Sequence, residues 1–403
     1  MVERPTLFCL ETPIREYAWG SHIWLAQIRG LASPTLKPEA ELWIGAHDPD
    51  SALVPNVGPL SRLIAGEPQR FLGSAAMTKF GPHLAFLLKV LAVAQPLSLQ
   101  VHPSLEQART GFKKENEAGI SISSSERTFV DDNHKPELLV AVSDFHALVG
   151  FRKVAEVTSL VESLIANGAI CLSNRILEPL KRTPNVLGLR GVFEGLIGQP
   201  DDAAFVKETV YGARRLASGD GAHAESARWL VDIAGFFPAR PDVVSTILLN
   251  LVHLGPGDAL YIAPGQVHSY LGGLGIEIMS SSDNVVRGGL TLKHVDVPAF
   301  LTMIDWTPES IPRIEGVGDG AITTWMPPTD DFVLSRIECG GEVIVLEVDA
   351  PLVIFAIAGS ATILRGEERV GMQQGDSLFV APGSPITLSG SATLWCGSCR
   401  VSQ

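Results

Sequence analysis

The chain has 403 residues, more than one ordinary domain and enough for two or three. Its hydrophobic share of 46% permits large buried cores, and its net charge of −13 argues against a nucleic-acid partner, which requires a basic surface. The apolar runs 85–94 and 352–358 are too short to span a membrane, and no signal peptide is evident.

The five cysteines are odd in number and scattered, which does not fit a disulfide framework. Cys396 and Cys399 could form a redox or metal pair, but nothing nearby supplies a second ligand pair, so we interpret them as thiols at the end of a strand. We therefore expect a cytoplasmic protein with neither a membrane nor a nucleic-acid partner.

The stretch before Pro103 is rich in glycine, proline and short apolar runs, a pattern typical of short strands joined by turns. The clearest candidate strands are 41–45, 51–54 and 97–101, and a short helix is expected at 60–64.

Residues 153 to about 253 carry apolar side chains at helical spacing. Helices are expected at 154–165, 203–216, 227–236 and 243–252, and aspartates at the start of two of them fit helix capping. This pattern predicts a helical domain of roughly a hundred residues.

Strand patterns return at 258–263 and run from about 332 to the end, and one segment is repeated. Gly257–Gly265 and Gly375–Gly383 both read as a turn, a four-residue apolar strand and a Pro-Gly turn. The repeat predicts two related β-barrel units. Three residues after the first copy stands His268, whereas the second copy has Ile386, so the first unit is the candidate active one.

The residues with the best metal-binding chemistry are four and lie far apart in the chain. Gln100 and His102 are two apart in a candidate strand and therefore face the same side. Glu137 stands just before a buried strand, and His268 supplies a second imidazole. Together they form a set of two nitrogens and two oxygens that suits zinc with an open position, although iron or manganese could bind the same set.

Positive charges occur close to these candidates. Lys135 lies in the polar run before Glu137, and Arg287 and Lys293 follow a strand-like segment. These cations suit a phosphate or a developing oxyanion. We expect Gly288 and Gly289 to let the backbone approach a ligand closely.

The chain resembles the type I mannose-6-phosphate isomerases, also called phosphomannose isomerases. The matching motifs occur in the family's order, at Tyr17–Ser21, Ala40–Gly45, Leu97–Pro103, Asp131–Glu137, Gly265–His268 and Glu277–Arg287. The resemblance implies a mainly β fold with a helical domain, namely two cupin-like (jelly-roll) β-barrels plus an α-helical insertion.

The resemblance also implies the roles of particular residues. Gln100, His102, Glu137 and His268 would hold one zinc ion, Zn2+, per chain, Arg287 would be the catalytic arginine, and Ser98 and Lys293 would hold the substrate phosphate. The activity would interconvert mannose 6-phosphate and fructose 6-phosphate through a cis-enediol.

That reaction requires a base, and the sequence leaves four candidates open: Glu277, Asp283, Lys135 and His134. His134 is also a candidate substrate-binding residue.

We expect residues 1–152 and 254–318 to form the catalytic barrel, 153–253 the helical domain, and 319–403 a C-terminal barrel without metal ligands. We expect a monomer, with a weak homodimer as the alternative.

Three other functions fit part of the pattern. A non-catalytic sugar-binding cupin would keep the barrel without needing Arg287 and Lys293. An iron oxygenase would use two histidines and one carboxylate, whereas Gln100 adds a neutral fourth ligand that favours zinc. An isomerase of another free or phosphorylated sugar is the third.

Overall fold

The computed structural model describes residues 4–401 apart from 125, 294, 309–310 and 319. The outer limits of the expected domains, at residues 1 and 403, and the limit at residue 319 lie outside the described residues. No helix in the described part of the chain is both long and apolar enough to cross a membrane.

The strands share antiparallel pairing throughout. Their bounds are β1 Leu7–Leu10, β2 Ile14–Arg15, β3 Glu41–Ile44, β4 Leu53–Val54, β5 Gly58–Pro59, β6 Phe86–Val93, β7 Leu99–Val101, β8 Glu137–Ala141, β9 Phe145–Phe151, β10 Leu249–Leu254, β11 Ala259–Ile262, β12 His268–Ser280, β13 Val286–Gly289, β14 Arg313–Ile314, β15 Ile322–Trp325, β16 Val333–Gly340, β17 Ile344–Val348, β18 Leu352–Arg365, β19 Glu368–Gln373, β20 Ser377–Val380 and β21 Gly383–Ser398.

The helices are concentrated between β9 and β10. Their bounds are α1 Trp24–Ile28, α2 Leu60–Gly66, α3 Pro68–Phe80, α4 Leu105–Glu117, α5 Val154–Ala166, α6 Glu178–Arg182, α7 Val186–Glu194, α8 Ala203–Ala217, α9 Ala224–Phe236, α10 Asp242–Ser245 and α11 Val297–Met303, with a π-helical turn at Ser173–Leu177 and a 3-10 turn at Thr246–Leu248.

Two large antiparallel sheets form the β part of the molecule. The central sheet has 11 strands, and β12 is its hub because it pairs with β6, β7, β8 and β9. The second sheet has eight strands, and its main path runs β1-β20-β18-β21-β16-β15. The expected combination of extensive β-structure with a helical segment is confirmed at this level.

The two sheets pack directly on each other. Phe86 and Ile278 of the central sheet share one hydrophobic core with Phe355 and Trp395 of the second. A Cβ added to Gly397 would lie 2.9 Å from Cδ1 of Ile278 and 3.2 Å from the ring of Phe86, so the two sheets approach closely at this glycine.

The repeated segment contributes one strand to each sheet. Gly257 and Gly375 have positive φ values of 93° and 92°, and each begins the turn before a buried four-residue strand, β11 or β20. After these strands, His268 begins β12 in the central sheet, whereas Ile386 is fully buried in the apolar core of the second sheet.

Two expectations about elements were wrong. The helix expected at 243–252 ends after one turn and a 3-10 turn, and Leu249–Leu254 instead pairs with β9. A short apolar run fits the helical period and the strand period equally well. Here the segment forms a strand because it pairs with β9. The stretch before Pro103 also contains α1 and α3, which the glycine-rich pattern did not predict.

The first strand joins an unexpected sheet. β1 pairs with β20, so residues within the expected segment 1–152 belong to the second sheet. The helical segment packs its apolar faces against Leu99, Val101 and Leu148 of the central sheet, and this places it beside the strand that carries Gln100.

Candidate metal centre and cavity

Three of the four predicted metal ligands come together at the ends of adjacent strands. His102 follows β7, Glu137 begins β8 and His268 begins β12, and all three are almost completely buried. Their candidate ligand atoms lie within 4.8 Å of one another. The Nε2 atom of His102 lies 3.2 Å from one Glu137 oxygen, and that of His268 lies 3.6 Å from the other.

The backbone determines which ring nitrogens are free. Nδ1 of His102 lies 2.8 Å from the carbonyl oxygen of Asn284, and Nδ1 of His268 lies 2.9 Å from that of Gln266. A carbonyl oxygen only accepts, so each Nδ1 donates its proton and each Nε2 presents a lone pair to Glu137. Hydrogen bonds of this kind orient histidines that ligate metals.

The charge states agree with this arrangement. Burial lowers the pKa of both imidazoles, that of His268 to about 4, so both rings are neutral near pH 7. Burial alone would raise the pKa of Glu137, but a protonated His102 and the Lys135 ammonium lower it well below its usual value. With both rings neutral, Lys135, 3.5 Å from Glu137, is the cation that remains to favour the carboxylate. Both Nε2 atoms are buried without a hydrogen-bond partner in the described structure. A cation between two neutral imidazoles and a carboxylate would satisfy all three, so these residues fit a zinc ion.

Gln100, the fourth predicted ligand, stands beside the other three. Its Cα pairs across the sheet with His268 and with Arg287. The turn that precedes His268 is also joined to His102, since the N–H of Gly265 donates to the backbone carbonyl of His102 at 2.8 Å.

Asn284 connects two of the sequence motifs. Its side-chain amide donates to the backbone carbonyl oxygens of Asp131 and Asn133, both at 2.9 Å. Its backbone carbonyl oxygen accepts a hydrogen bond from Nδ1 of His102. The polar run before Glu137 and the segment before Arg287 are thereby fixed against each other.

A cavity of about 730 Å³ opens above this cluster. Eight predicted site residues line it: Ser98, Gln100, Lys135, Glu137, Glu277, Asp283, Arg287 and Lys293. His134 is not among the lining residues, and its Nε2 pairs with Asp331. The structure therefore does not bring His134 to the cavity, because the Asp331 carboxylate holds its ring elsewhere.

Two of the cavity's cations lack an anionic partner. Among the described residues, neither Arg287 nor Lys293 has a carboxylate within 4.0 Å, and Lys293 Nζ instead lies 5.4 Å from the ring centre of Tyr17. Burial lowers the pKa of both groups, and the nearby charges of Arg287 and Arg15 lower that of Lys293 further. Unpaired cations in a protein of charge −13 form a local site for an anion.

The predicted acid–base candidates differ in their surroundings. Burial and the charge of Glu137 raise the pKa of Glu277 to about 7, even though Lys89 lies 3.3 Å away. Burial would raise the pKa of Asp283, but His47, 3.0 Å away, outweighs it and lowers that pKa. Lys135 lies 3.5 Å from Glu137.

The sequence analysis missed Lys89 and Glu41, which belong to this site. Lys89 is buried in β6 between Glu277 and Glu41, the latter 3.9 Å away, and their charges outweigh burial to raise its pKa. A signal was present, since a lysine in the middle of the apolar run 85–94 requires a buried partner. The partner carboxylates come from distant strands, and no local pattern indicates them.

Comparisons with known proteins agree with these features. Residues 7–154 match the phosphomannose isomerase type I catalytic domain. The mannose-6-phosphate isomerase of Escherichia coli is 32% identical over 94% of this chain and 96% of its own length. The human mannose-6-phosphate isomerase is 28% identical, with 95% of each chain covered.

Solved structures of mannose 6-phosphate isomerases are also similar to this chain. A crystal structure of mannose 6-phosphate isomerase bound with zinc and yttrium has a TM-score of 0.87 and 30% identity, and the match covers 98% of this chain and 100% of that one. The apo form from Salmonella typhimurium has the same TM-score and coverage at 31% identity. The chain therefore belongs to the type I phosphomannose isomerase family and is a mannose-6-phosphate isomerase.

Proposed function

We propose that this enzyme depends on zinc and interconverts mannose 6-phosphate and fructose 6-phosphate through a cis-enediol. One zinc ion per chain would be held by Gln100, His102, Glu137 and His268. The observation that carries the proposal is the pair of buried, unpartnered Nε2 atoms that face one carboxylate beneath a cavity with unpaired cations. Bound there, zinc would act as a Lewis acid toward the sugar oxygens.

The substrate's phosphate is assigned to the part of the cavity lined by Ser98 and Lys293. The charge of Lys293 and the hydroxyl of Ser98 match a phosphate, and the cavity volume of about 730 Å³ is in the range of small-molecule sites. Arg287 is assigned to the developing oxyanion at the reacting carbons, because its strand neighbour Gln100 is a proposed ligand.

Proton transfer between C2 and C1 is assigned to the groups that line the cavity. Glu277, with a pKa of about 7, is matched to taking and returning a proton near neutral pH, and Asp283 is the ionised alternative. Lys135 is beside Glu137 and its charge favours the ionised carboxylate.

The proposed domains, location and oligomeric state also follow from the resemblance to the family. Residues 1–152 and 254–318 would make a cupin-like catalytic barrel, 153–253 the helical domain and 319–403 a second cupin-like barrel, in a cytoplasmic monomer. Membership of the isomerase family argues against a non-catalytic sugar-binding protein and against an iron oxygenase.

Isomerisation in D2O tests the proposed chemistry. A base that removes the C2 proton exchanges part of it with solvent before returning it to C1. Fructose 6-phosphate equilibrated with mannose 6-phosphate over many turnovers is therefore expected to carry deuterium at C1, detectable by NMR. A sample without protein is the control for spontaneous exchange. No deuterium at C1 even after prolonged equilibration through many forward and reverse turnovers would indicate hydride transfer and overturn the enediol.

A further inference from the structure

Tyr270 is a buried phenol that borders the cavity and lies near the Glu277 carboxylate. The residue is 2% exposed. Burial and the nearby Glu277 carboxylate raise the pKa of the phenol, yet among the described residues no atom meets hydrogen-bond geometry at its hydroxyl. Its ring is fixed edge-on against Phe145, with centroids 5.4 Å apart. A buried polar atom without a partner costs about 1–3 kcal/mol, and a phenylalanine would fill the same space without that cost.

The proposed metal ion does not account for this hydroxyl. Three buried side-chain atoms at the site lack partners: Nε2 of His102, Nε2 of His268 and the hydroxyl of Tyr270. A metal ion would satisfy the two imidazoles, and with Glu137 and Gln100 the four protein positions of the proposed site are filled. The neighbouring Glu277 carboxylate lies 3.3 Å from Lys89 and does not meet hydrogen-bond geometry with the phenol. The hydroxyl can therefore donate to a group that binds in the cavity.

The position of Tyr270 indicates which part of a ligand it meets. It follows His268 by two residues on β12, so both side chains point to the same face, and their ring centroids are 6.0 Å apart. Its hydroxyl therefore belongs to the metal end of the cavity, whereas Lys293 lies against Tyr17. In the proposed reaction the sugar oxygens at the metal end are those on C1 and C2.

We propose that the Tyr270 hydroxyl donates a hydrogen bond to an oxygen on the C1–C2 unit of the bound sugar phosphate. This assignment rests on the proposed function and adds a substrate-contacting residue to it. The donor meets an oxygen on which negative charge develops as the enediol forms, so its effect falls on turnover as well as on binding.

The test compares Tyr270→Phe with the parent as zinc-loaded full-length proteins. We expect kcat for mannose 6-phosphate to fall about tenfold to a hundredfold. Mannitol 6-phosphate has no carbonyl to isomerise, so its stabilisation of the protein against heat reports binding alone, and we expect a smaller increase in Tm. Zinc content should equal that of the parent, and Tm without ligand should be unchanged or higher, since an unpartnered hydroxyl is removed.

Tyr261→Phe is the matched control. Tyr261 is also a buried tyrosine of the central sheet, but it does not line this cavity, and parent kinetics are expected. Parent values of kcat, KM and the mannitol 6-phosphate shift in Tyr270→Phe would overturn the assignment. So would a lower Tm without ligand or a loss of zinc, since either would indicate a structural role. Isomerisation by the parent protein without metal would instead overturn the proposed function. In that case the increase in Tm with mannitol 6-phosphate would still test the contact of Tyr270 with the ligand.

Discussion

At the residue scale, the tautomers of two neutral imidazole rings prepare the metal centre. Backbone carbonyls accept from Nδ1 of His102 and His268, so both lone pairs at Nε2 face Glu137. Without a cation, these acceptor atoms would face one another in a buried space, which is unfavourable. This geometry explains why the three residues would stabilise a divalent ion even before substrate binds.

The sequence indicated much of this site but not its charge balance. The spacing of Gln100 and His102, and the placement of Glu137 and His268 at strand ends, pointed to ligands that the fold then brought side by side. The buried pair of Lys89 and Glu277 was not predicted, because cross-strand pairing determines it. His134 looked equivalent to its neighbours in sequence, yet Asp331 from a remote segment holds it away.

Replacing Arg287 tests its assignment to the developing oxyanion. A donor at such a position contributes about 3–4 kcal/mol to the barrier, so Arg287→Ala should lower kcat by roughly two orders of magnitude or more. The measurement is a coupled assay with mannose 6-phosphate, alongside zinc analysis.

Arg313→Ala provides the control, because this exposed arginine pairs with Asp258 outside the cavity. It should keep parent turnover. An Arg287→Ala protein that folds, holds zinc and turns over nearly as fast as the parent would show that the oxyanion role is wrong.

At the element scale, strand β12 and the segment after it carry most of the site. His268, Tyr270 and Glu277 all lie on β12, and Arg287 lies on β13, which pairs with the strand of Gln100. The helical segment contributes Phe236 and Phe237 to the cavity wall. A cavity assembled from distant elements could not be outlined from local periodicity.

The glycines after Arg287 have a packing role that the sequence analysis did not predict. A Cβ on Gly288 would collide with the ring of Phe300 in α11, and one on Gly289 would lie 2.7 Å from the Asp242 carboxylate. The missing side chains make room for protein neighbours, which is a packing requirement. The expected close approach of the backbone to a ligand stays a prediction.

Gly288→Ala should therefore destabilise the protein. Overpacking a rigid site typically costs about 1–3 kcal/mol, and we expect that loss in the free energy of unfolding measured with urea. Because β13 must shift, kcat should also fall through the displaced Arg287.

Gly191→Ala is the matched control, since Gly191 lies within α7 and an added Cβ would meet nothing within 4 Å. It should be neutral or stabilise by about 0.5–1 kcal/mol. Equal stability of the Gly288→Ala protein and the parent would contradict the packing argument.

At the scale of the whole molecule, a repeated turn-and-strand segment is used once in each sheet. The repeat was visible in the sequence, and its two copies lie in different sheets, one followed by His268 and one by Ile386 at the matching position. The two β-barrel units that it predicted stay a prediction. The pairing of β1 with β20 was not predictable, because it joins residues near opposite ends of the chain.

The distribution of charge separates the surface from the site. The chain carries a net charge of −13, while Arg287 and Lys293 face the cavity without carboxylate partners in the described structure. We therefore propose that an anionic substrate is held by these local cations and not by the overall charge of the protein.

Turnover of mannose 6-phosphate by metal-stripped protein tests the central claim most directly. The protein is treated with a chelator, dialysed, shown by metal analysis to be free of zinc, and assayed before and after zinc is added. The account predicts that activity disappears on stripping and returns with about one zinc ion per chain. Full turnover by protein that contains no metal would contradict it.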